Sequence, residues 1–484
     1  MRLSALAAGF DVTARLDPEI TAITEDSRKV VAGSLFVAVR GTALDGHAYV
    51  PDALARGAAA VAVERAGTVP PDVAQIRVPS GRTALADLAA RFYGSPGNDI
   101  AIVGFTGTFG KTSTSEVLRS LLTAHGTAAA VMGSLGARFG DIRIDTGVLT
   151  TPGPVELNAA LRQLASAGAT TVILEVTSHA LKLQRVHGLR FRDGLMAAIM
   201  PGEHTDFHRT YEEYVGAKRL FIDLLAPDST LTFDADNHSA RLLAAAASSS
   251  QLAGVSIEGR NAELQLYDIL VDASGASFSV AGTLTCADSG ARLHSSLLGR
   301  GHLRNVALAL ASAFATGVPV GVASEVLRTL RPLRRRMERF DAGGRMILDD
   351  TAAHPDSFRA TFDVAALLPA GRLVVLYAIR GRRGADINRR NAASLADLCA
   401  IHGADTLIVT GADDFTSDKD RAQTNEVDAT RQELVRRGSR FVWHDTLEAA
   451  TRDAIARTEA GDLILLIGAQ GMDEGKALME GSLL

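Results

Sequence analysis

The sequence contains few cysteines and carries no surplus of basic charge. Only Cys286 and Cys399 occur among its 484 residues, so a disulfide framework is excluded and a reducing compartment is favoured. The 50 Lys and Arg residues stand against 55 Asp and Glu residues, which gives a net charge of −5. Proteins that bind duplex nucleic acid usually carry a basic patch or an overall basic balance. We therefore expect no nucleic-acid partner.

A long apolar segment that could cross a membrane is also missing. The longest uncharged run, 306–324, is rich in alanine and is interrupted by Gly317 and Pro319. This pattern predicts a core helix that ends in a turn. The first residues, MRLSALAAGFDVTARL, lack the basic segment and the sustained apolar stretch of a signal peptide. We expect a cytoplasmic protein that does not associate with membranes.

The chain is long enough for about three domains of ~100–200 residues each. Turn-forming residues in FYGSPGND, 92–99, mark a first boundary, and the arginine-rich run that begins at Arg331 marks a second. Before the first boundary, SLFVAVRG predicts a strand, and ALARGAAAVAVER predicts a helix that runs into a strand. After the second, the apolar strands RMILDD, RLVVLYAI, DTLIVTG and LILLIGA alternate with helical segments, which is typical of a doubly wound α/β domain. We place the domains at 1–98, 99–331 and 332–484.

The strongest chemical signal is the glycine-rich segment GFTGTFGKTSTSE, 104–116. It lies between the apolar strand IAIVG and the helical pattern SEVLRSLLTAHG. Backbone N–H groups of such a loop, together with the following helix N-terminus, cradle phosphate oxygens. Lys111 is expected to reach the β- and γ-phosphates and Thr112 to coordinate Mg²⁺. The alternative is a glycine-rich turn with an incidental lysine, but the order of strand, loop and helix favours nucleotide binding.

Carboxylates and histidines that could hold a metal ion follow the loop in the sequence. Glu175 ends the strand pattern TTVILEV, so its carboxylate is expected at the sheet edge near the loop. The segments EVTSHAL and GEHTDFH add further candidates, namely Ser178, His179, His204, Asp206 and His208. No cysteine accompanies them, and the HExxH spacing of zinc sites is absent. An oxygen-rich site with one histidine suits Mg²⁺ better than tetrahedral zinc.

Seven segments together resemble one known family over essentially the whole chain. In order, they are DSRKVVAGSLFVAVRGTALDGHAYV, the phosphate loop, TTPGPVELN, LEVTSHALKLQRVHGLRF, EHTDFHRTYEEYVGAKRLF, GRGHLRNVALALA and RRRMERF. This order is similar to that of the Mur ligases, ATP-dependent amide-bond enzymes of peptidoglycan assembly. The resemblance is strongest to the members that form UDP-N-acetylmuramoyl-tripeptide.

The resemblance implies roles for individual residues, carried over by position. It implies that ATP contacts Gly107, Thr108, Gly110, Lys111, Thr112, Asn305, Arg336 and Asp350. The implied Mg²⁺ ligands are Thr112, Glu175, His204 and Lys218, the last of which matches a lysine that is carbamylated in many members. The implied catalytic residues are Lys111, Glu175, His204 and Lys218. The substrate is implied to contact Ser27, Arg28, Asp45 and His47 on its uridine side, and Thr150, Thr151, Ser178 and Arg185 near its carboxylate.

The resemblance also implies a fold and an activity. The implied α/β fold has a small N-terminal α/β domain for a UDP-sugar, a central P-loop ATPase α/β domain and a C-terminal Rossmann-like α/β domain. The implied activity is that of an ADP-forming ligase, which activates UDP-N-acetylmuramoyl-dipeptide as an acyl phosphate and joins it to an amino-acid amine. We expect a monomer whose partners are ATP, this carboxylate and the amine. Two alternatives stay open: a similar amide ligase recruited to a specialised pathway, with a carboxylate that lacks UDP, and a non-catalytic nucleotide-binding homologue.

Departures from the family pattern are concentrated around the adenine and the incoming amine. Phe109 replaces an asparagine of the phosphate loop, and His302 stands where an adenine-contacting asparagine is expected. DDTAAHPDS keeps Asp350 but loses a tyrosine and a histidine. TGADDFTSD, 410–418, lacks the arginine that binds the carboxylate of diaminopimelate, and GAQGMD replaces a later signature. These departures predict a different amine. The stretch IRGRRGADINRR, 379–390, is either an alternative anion contact or a solvated loop.

Overall fold

The computed structural model describes residues 1–42, 44–65, 69–201, 207–248, 250–285, 289–418 and 420–482. The chain divides into two compact units. The first contains Met1–Leu266, Val280–Ser289 and Ala307–Ala323, and the second contains Tyr267–Ser279, Gly290–Val306 and Ser324–Leu484. Within the described ranges, every helix is too short or too polar to span a membrane.

The first unit begins with a small five-stranded sheet of order β1-β5-β4-β3-β2. Its strands are parallel except for β1, which pairs antiparallel with β5. The strands are β1 (Asp11–Thr13), β2 (Ala22–Thr24), β3 (Ser34–Val37), β4 (Ala58–Val63) and β5 (Ala74–Arg77). The helices beside them are α1 (Leu3–Leu6), α2 (Val50–Ala55) and α3 (Gly81–Phe92). The strand predicted in SLFVAVRG and the helix and strand predicted in ALARGAAAVAVER are thereby confirmed.

A larger sheet follows, and its parallel part positions the phosphate loop. The strands are β6 (Ala101–Thr106), β7 (Ala129–Gly133), β8 (Gly136–Phe139), β9 (Ile142–Ile144), β10 (Thr171–Glu175), β11 (Asp193–Met196), β12 (Thr230–Asp234) and β13 (Gln251–Ser256). The parallel strands run in the order β13-β12-β11-β6-β10-β7, and the short β8 and β9 continue antiparallel beyond β7. Because β7 and β10 are buried on both faces, they are continuous apolar runs.

Helices and further strands complete this part of the chain. The helices are α4 (Lys111–Ala124), α5 (Pro154–Ser166), α6 (Ser178–Lys182), α7 (Tyr211–Arg219), α8 (His238–Ala244), α9 (Gly299–Ala315) and α10 (Val320–Thr329). The strands β14 (Leu264–Asp272), β15 (Gly275–Ala281) and β16 (Arg292–Ser295) lie between α8 and α9. The uncharged run 306–324 therefore forms most of α9, a turn and the start of α10, as the sequence predicts.

The second unit contains a six-stranded sheet of order β17-β18-β22-β19-β20-β21, parallel except for β17. Its strands are β17 (Glu338–Ala342), β18 (Arg345–Asp350), β19 (Leu373–Ala378), β20 (Thr406–Thr410), β21 (Phe441–His444) and β22 (Leu463–Ile467). Its helices are α11 (Pro355–Ala365), α12 (Ala385–Ile401), α13 (Thr424–Arg436), α14 (Leu447–Ala456) and α15 (Gly475–Gly481). Separate apolar cores involve α11, α12 and α13 on one hand and α14 and α15 on the other, so the doubly wound α/β prediction is confirmed.

Candidate active site

The phosphate loop joins β6 to α4 and depends on two glycines. Gly110 precedes α4 with a φ of +81°, and Gly107 has a φ of +153°. A Cβ atom on Gly107 would lie 2.6 Å from the Cβ of Ala197, so a larger residue would displace the loop. The Nζ of Lys111 donates to the carbonyl oxygens of Gly107, at 2.9 Å, and of Thr108, at 3.2 Å. The lysine thus folds over the loop backbone, where it would meet phosphate oxygens.

The side chain of Thr108 supports this loop from within the protein. Its Oγ1 accepts a hydrogen bond from the backbone N–H of Met200 at 2.9 Å and lies 2.9 Å from the hydroxyl of Tyr214. Its backbone N–H donates to the carbonyl oxygen of Ala198 at 2.9 Å. Thr108 therefore attaches the loop to the segment after β11 and to α7.

Glu175 joins the phosphate loop to the ends of two neighbouring strands. The side chain is buried, and its Oε2 accepts a hydrogen bond from the Thr112 hydroxyl at 3.0 Å. Ser134, after β7, approaches both carboxylate oxygens at 3.4 Å, with its N–H at Oε1 and its hydroxyl at Oε2. A Cβ atom on Gly133 would overlap the Glu175 carboxylate. The structure therefore brings Thr112 and Glu175 together and adds Gly133 and Ser134, which the sequence analysis missed although they end a buried strand.

Lys218 is buried beneath the same loop. Its Nζ donates to Thr106 Oγ1 at 3.2 Å and to the carbonyl oxygen of Gly107 at 3.1 Å, and it lies 4.9 Å from the Tyr214 ring centre. Burial lowers the pKa of Lys218 well below its usual range, and the charge of Lys111 lowers it further. A lowered pKa favours the uncharged amine, which is the nucleophilic form that can react with carbon dioxide. This chemistry fits the carbamylation that the resemblance implies.

The donor set at this site suits a hard cation. The hydroxyl of Thr112 and the carboxylate of Glu175 are oxygen ligands of the kind that Mg²⁺ prefers. His204, the third implied ligand, lies outside the described residues. Among the residues that the structure does describe, no three His, Cys, Asp or Glu side chains are grouped to hold a metal.

His208, one of the candidate metal ligands predicted from the sequence, is buried. Its Nε2 lies 3.0 Å from the hydroxyl of Ser178, the first residue of α6. Its Nδ1 has no hydrogen-bond partner among the described residues, and the rings of Phe207 and Tyr214 pack against it. Burial lowers the pKa of His208 to about 4, with a further contribution from His179. His208 is therefore neutral near pH 7 and positions Ser178.

The residues predicted near the substrate carboxylate meet beside Glu175. Thr151 Oγ1 donates to the backbone carbonyl of Glu175 at 2.9 Å and accepts from the N–H of Thr177 at 3.0 Å. Arg185 Nη1 donates to the carbonyl oxygen of Thr151 at 3.2 Å, and burial lowers the pKa of this guanidinium. Thr150 Oγ1 lies 2.9 Å from the hydroxyl of Ser134. Thr150, Thr151 and Arg185 therefore share one hydrogen-bond network with the phosphate side.

The residues predicted on the uridine side lie in two short turns, and their side chains form hydrogen bonds with other residues of this domain. Arg28 donates to both carboxylate oxygens of Asp26, at 2.9 and 2.8 Å, and Ser27 beside it is buried. His47 Nδ1 lies 2.6 Å from Asp45 Oδ1, and its Nε2 accepts the backbone N–H of Glu64 at 3.0 Å. Nδ1 therefore carries the proton and donates to Asp45. The structure brings Asp45 and His47 together, whereas Arg28 is engaged by Asp26.

The second unit contains three of the predicted nucleotide contacts, namely Asn305, Arg336 and Asp350. Asp350, at the end of β18, accepts hydrogen bonds from the Met337 N–H at 3.2 Å and the Thr361 hydroxyl at 2.8 Å, and burial raises the pKa of its carboxyl group. The guanidinium of Arg336 donates to the Thr351 hydroxyl and, at 3.1 Å, to the carbonyl of Arg335. Asn305 lies partly buried on α9.

His302 has a defined tautomer. Its Nδ1 lies 3.1 Å from the carbonyl oxygen of Leu298, which can only accept, so Nδ1 carries the proton and donates. Burial lowers the pKa of His302 to about 4, and the charge of Arg336 lowers it further, which also indicates that the two residues are near each other. In the neutral ring, Nε2 can only accept a hydrogen bond. The asparagine that the family pattern has here could both donate and accept.

Arg335, one of the arginines at the predicted domain junction, is buried in the second unit. Its φ is +58°, and its Nε donates to Asp349 Oδ1 at 3.2 Å. Its Nη1 donates to the carbonyl oxygen of Ala469 at 2.8 Å and to the Asp473 carboxylate, and its Nη2 donates to the carbonyl of Gly468. Arg335 therefore holds the protein's own GAQGMD segment in place.

Two loops at the ends of β19 and β20 contain the departures predicted to affect the amine. The carboxylate of Glu426 accepts four backbone N–H groups, from Arg382 at 3.0 Å, Arg383 at 2.7 Å, Gly384 at 2.6 Å and Gln423 at 2.8 Å. In TGADDFTSD, Asp414 caps α14 by accepting from the N–H groups of Leu447 and Glu448. The stretch 379–390 is therefore part pinned loop and part α12.

Comparisons with known proteins agree with this arrangement. Three family profiles match: the Mur ligase family, catalytic domain, at residues 19–93, the Mur ligase middle domain at 105–313, and the Mur ligase, glutamate ligase domain at 335–470. A UDP-N-acetylmuramoyl-L-alanyl-D-glutamate–2,6-diaminopimelate ligase of Geobacter sulfurreducens is 32% identical, over 97% of this chain and 94% of its own. A UDP-N-acetylmuramyl-tripeptide synthetase of Roseiflexus sp. is 34% identical over 94% and 90%.

Solved structures have the same fold. A Thermotoga maritima MurF ligase in complex with ADP has a TM-score of 0.65 and 20% identity, covering 96% of this chain and 97% of its own. A MurF from Acinetobacter baumannii has a TM-score of 0.70 and 18% identity, covering 99% and 97%. The three-domain α/β architecture expected from the sequence is confirmed, while the boundaries near 98 and 331 stay predictions. The chain belongs to the Mur ligase family.

Proposed function

We propose that this chain is an ATP-dependent ligase that activates a carboxylate as an acyl phosphate and joins it to an amine. The observation that supports this most is the position of Glu175. Its carboxylate accepts a hydrogen bond from Thr112 of the phosphate loop, and its backbone carbonyl accepts one from Thr151 of the predicted carboxylate-binding segment. ATP bound at the phosphate loop and a carboxylate bound at the Thr151 segment would therefore be neighbours.

The chemistry follows from the weakness of a carboxylate as an electrophile. A carboxylate oxygen attacks the γ-phosphorus of ATP, the bond to the bridging oxygen breaks, and ADP leaves. The amine then adds to the carbonyl carbon of the acyl phosphate, loses a proton and expels inorganic phosphate. Lys111 and the loop N–H groups would offset charge on the transferring phosphoryl group, which is electrostatic and positional work.

Mg²⁺ fits the proposed site, and Thr112, Glu175 and a carbamylated Lys218 would hold it, with His204 implied by the resemblance. When bound, the ion would supply positive charge against the phosphate oxygens. Lys218 suits this role because its amine is buried and its pKa is lowered, which favours the uncharged form. Carbamylation of that amine would create an anionic ligand.

The second unit contains the other residues that the resemblance implies as nucleotide contacts. Arg336 and Asp350, with Asn305 on α9, are the candidates there. Asp350 is fixed by two hydrogen bonds, so it offers a preorganised acceptor. His302 would change adenine recognition, because its neutral ring has only the Nε2 lone pair left, whereas an asparagine has both a donor and an acceptor.

The proposed carboxylate substrate is UDP-N-acetylmuramoyl-L-alanyl-D-glutamate, after which several of the similar ligases are named. We propose an amine other than diaminopimelate, because 410–418 contains no arginine and Asp414 is used to cap α14. The loop at 381–384, held by Glu426 and carrying two arginines, is the candidate anion contact for an amino acid that has a carboxylate.

A second candidate is a ligase of the same chemistry that takes a carboxylate without UDP. The observation that favours it is the internal bonding of the predicted uridine contacts. Arg28 is paired with Asp26, and His47 bonds to both Asp45 and Glu64. Both ring nitrogens of His47, and the Nε and Nη2 of Arg28, are thereby engaged within the protein, which leaves fewer of these groups for a uridine contact.

One assay separates the two candidates. The protein is incubated with ATP, Mg²⁺, UDP-N-acetylmuramoyl-L-alanyl-D-glutamate and a panel of amino acids, and ADP release and product mass are followed. We expect ADP release together with a product that contains the muramyl group and an amino acid other than diaminopimelate. ADP release only with carboxylates that lack UDP would favour the second candidate, and no ADP release with any carboxylate would contradict both.

A further inference from the structure

The hydroxyl of Ser134 is one of the contacts between the metal side and the carboxylate side of the proposed site. It lies 3.4 Å from Glu175 Oε2 on the metal side and 2.9 Å from Thr150 Oγ1 on the carboxylate side. Ser134 is exposed and Thr150 is partly exposed, so bound molecules could reach both hydroxyl groups.

The direction of these hydrogen bonds is set by chemistry. A carboxylate only accepts, so in the Ser134–Glu175 bond the serine hydroxyl is the donor. Ser134 has one hydroxyl proton, so while that proton points to Glu175 it is Thr150 that donates in the Ser134–Thr150 bond. The Thr150 proton then faces inward, and its oxygen presents only lone pairs to an incoming carboxylate. In this state Thr150 repels the group that it is predicted to hold.

A cation on Glu175 would remove the cause of this arrangement. A cation held by the Glu175 carboxylate would compete for its lone pairs and would repel hydroxyl protons that point at it. The serine O–H can rotate about its C–O bond, and Thr150 Oγ1 is the acceptor that it already contacts. Once Ser134 donates to Thr150, the proton of Thr150 is available to a substrate carboxylate.

We propose that Ser134 is a positioning residue that couples the metal and nucleotide side to the affinity for the carboxylate substrate. The inference rests on the proposed function and deepens it: the Ser134 hydroxyl makes Thr150 a poor carboxylate ligand until Glu175 binds its cation. A coupling of this kind is reciprocal, so the carboxylate substrate strengthens nucleotide binding by the same factor.

The test measures the affinity for UDP-N-acetylmuramoyl-L-alanyl-D-glutamate by calorimetry, with and without Mg²⁺ and a non-hydrolysable ATP analogue. In the unaltered protein we expect the Mg²⁺–analogue complex to tighten binding about fivefold, the worth of one ordinary hydrogen bond. In Ser134→Ala, the Thr150 proton has no inward acceptor. We expect this variant to bind the muramyl dipeptide more tightly than the unaltered protein when nucleotide is absent, and to lose the coupling.

The controls separate this role from a structural one. Ser134→Thr keeps the hydroxyl and should keep the coupling, and Ser120→Ala, which removes a hydroxyl bonded to Glu116 on α4, should change neither affinity. A merely structural Ser134 would give weaker binding under both conditions, which would overturn the inference. Coupling that persists in Ser134→Ala would also overturn it while leaving the proposed function intact. If the unaltered protein binds neither the analogue nor the muramyl dipeptide, the proposed function fails and the inference fails with it.

Discussion

The amine of Lys111 contacts two carbonyl oxygens of its own loop, and phosphate oxygens would replace them when ATP binds. Lys111→Ala removes the positive charge that would stabilise the transferring phosphoryl group. We expect ADP release to slow about 10²–10³-fold, the loss typical of one electrostatic contact to a transition state. Arg119→Ala is the matched control, because Arg119 lies on the same helix but pairs with Glu116. Full turnover by Lys111→Ala would reject the phosphate-loop assignment.

The enzyme's activity should depend on dissolved carbon dioxide through carbamylation of Lys218. Its amine is buried and has a lowered pKa, which favours the uncharged form that reacts with carbon dioxide. We expect activity to fall when bicarbonate is removed and to return when it is added, and isotope-labelled bicarbonate should give a carbamate signal in NMR spectra. In Lys218→Ala, a small carboxylate such as formate should restore part of the lost rate by supplying the missing anion. An unlabelled Lys218 in an active enzyme would contradict this assignment.

The positions of some candidate site residues follow from the sequence more directly than those of others, for physical reasons. Lys111, Thr112 and Glu175 lie in a loop and at a strand end, which local patterns predict, and the roles of these residues stay predictions. Ser134 was missed because a serine after a strand is common, and its partners Glu175 and Thr150 are 41 and 16 residues away. Contacts of this range are decided by strand order, which the sequence did not provide.

The phosphate loop as an element depends on close packing at Gly107. Gly107→Ala would force a Cβ atom to within 2.6 Å of the Ala197 Cβ and would strain a backbone at φ +153°. We expect nucleotide binding, followed by calorimetry, to be lost while the overall helix content stays unchanged. Gly321→Ala is the control, since this glycine lies in α10 with open space around it and alanine favours helices by roughly 0.5–1 kcal/mol. Normal binding by Gly107→Ala would show that the loop adapts.

Among the secondary-structure elements, buried parallel strands were the most predictable. β10 and β22 are buried along their whole length, so they read as continuous apolar runs. β21, which contains Trp443, is half-buried throughout and pairs only with β20 among the described strands. Its residues Phe441, Val442 and Trp443 favour a strand, but the run is short and lies at the edge of the sheet, so the strand was not predicted.

At the scale of the whole molecule, the described residues of each compact unit include a buried neutral histidine. These histidines predict that the folded state loses stability in acid. The pKa values of His208 and His302 both fall from 6.5 to about 4 on folding. The unfolded chain therefore binds protons between pH 6.5 and 4 that the folded protein does not, so stability is lost as the pH falls through this window. At pH 5 each histidine should reduce the free energy of unfolding by roughly 2 kcal/mol relative to neutral pH.

Scanning calorimetry at pH 7 and pH 5 would check this prediction. His208→Gln and His302→Gln should each flatten the pH dependence of one unfolding transition. Equal pH dependence in both variants and the unaltered protein would contradict it.

The compact units also explain why domain limits are difficult to place from sequence. Residues 290–306 precede the predicted junction at 331 but belong to the second unit. Ser296 donates to the carbonyl of Leu330, and a Cβ atom on Gly299 would contact Val364. Such contacts leave no compositional trace.

The hydrogen bonds around Glu426 have a consequence for how this protein could acquire new substrates. All four groups that its carboxylate accepts are backbone N–H groups, which every residue except proline possesses. The 381–384 loop is thus held by a side chain on α13, outside the loop, and the side chains at positions 382 and 383 take no part in these bonds. The two glycines are not free to vary, because a Cβ atom on Gly381 would lie 2.2 Å from the carbonyl oxygen of Asp420, and Gly384 has a φ of +89°. Position 382, at φ +59°, disfavours β-branched residues most. Mutation at 382 and 383 could therefore change the chemical character of this loop without refolding it, provided that Glu426 and the two glycines are retained.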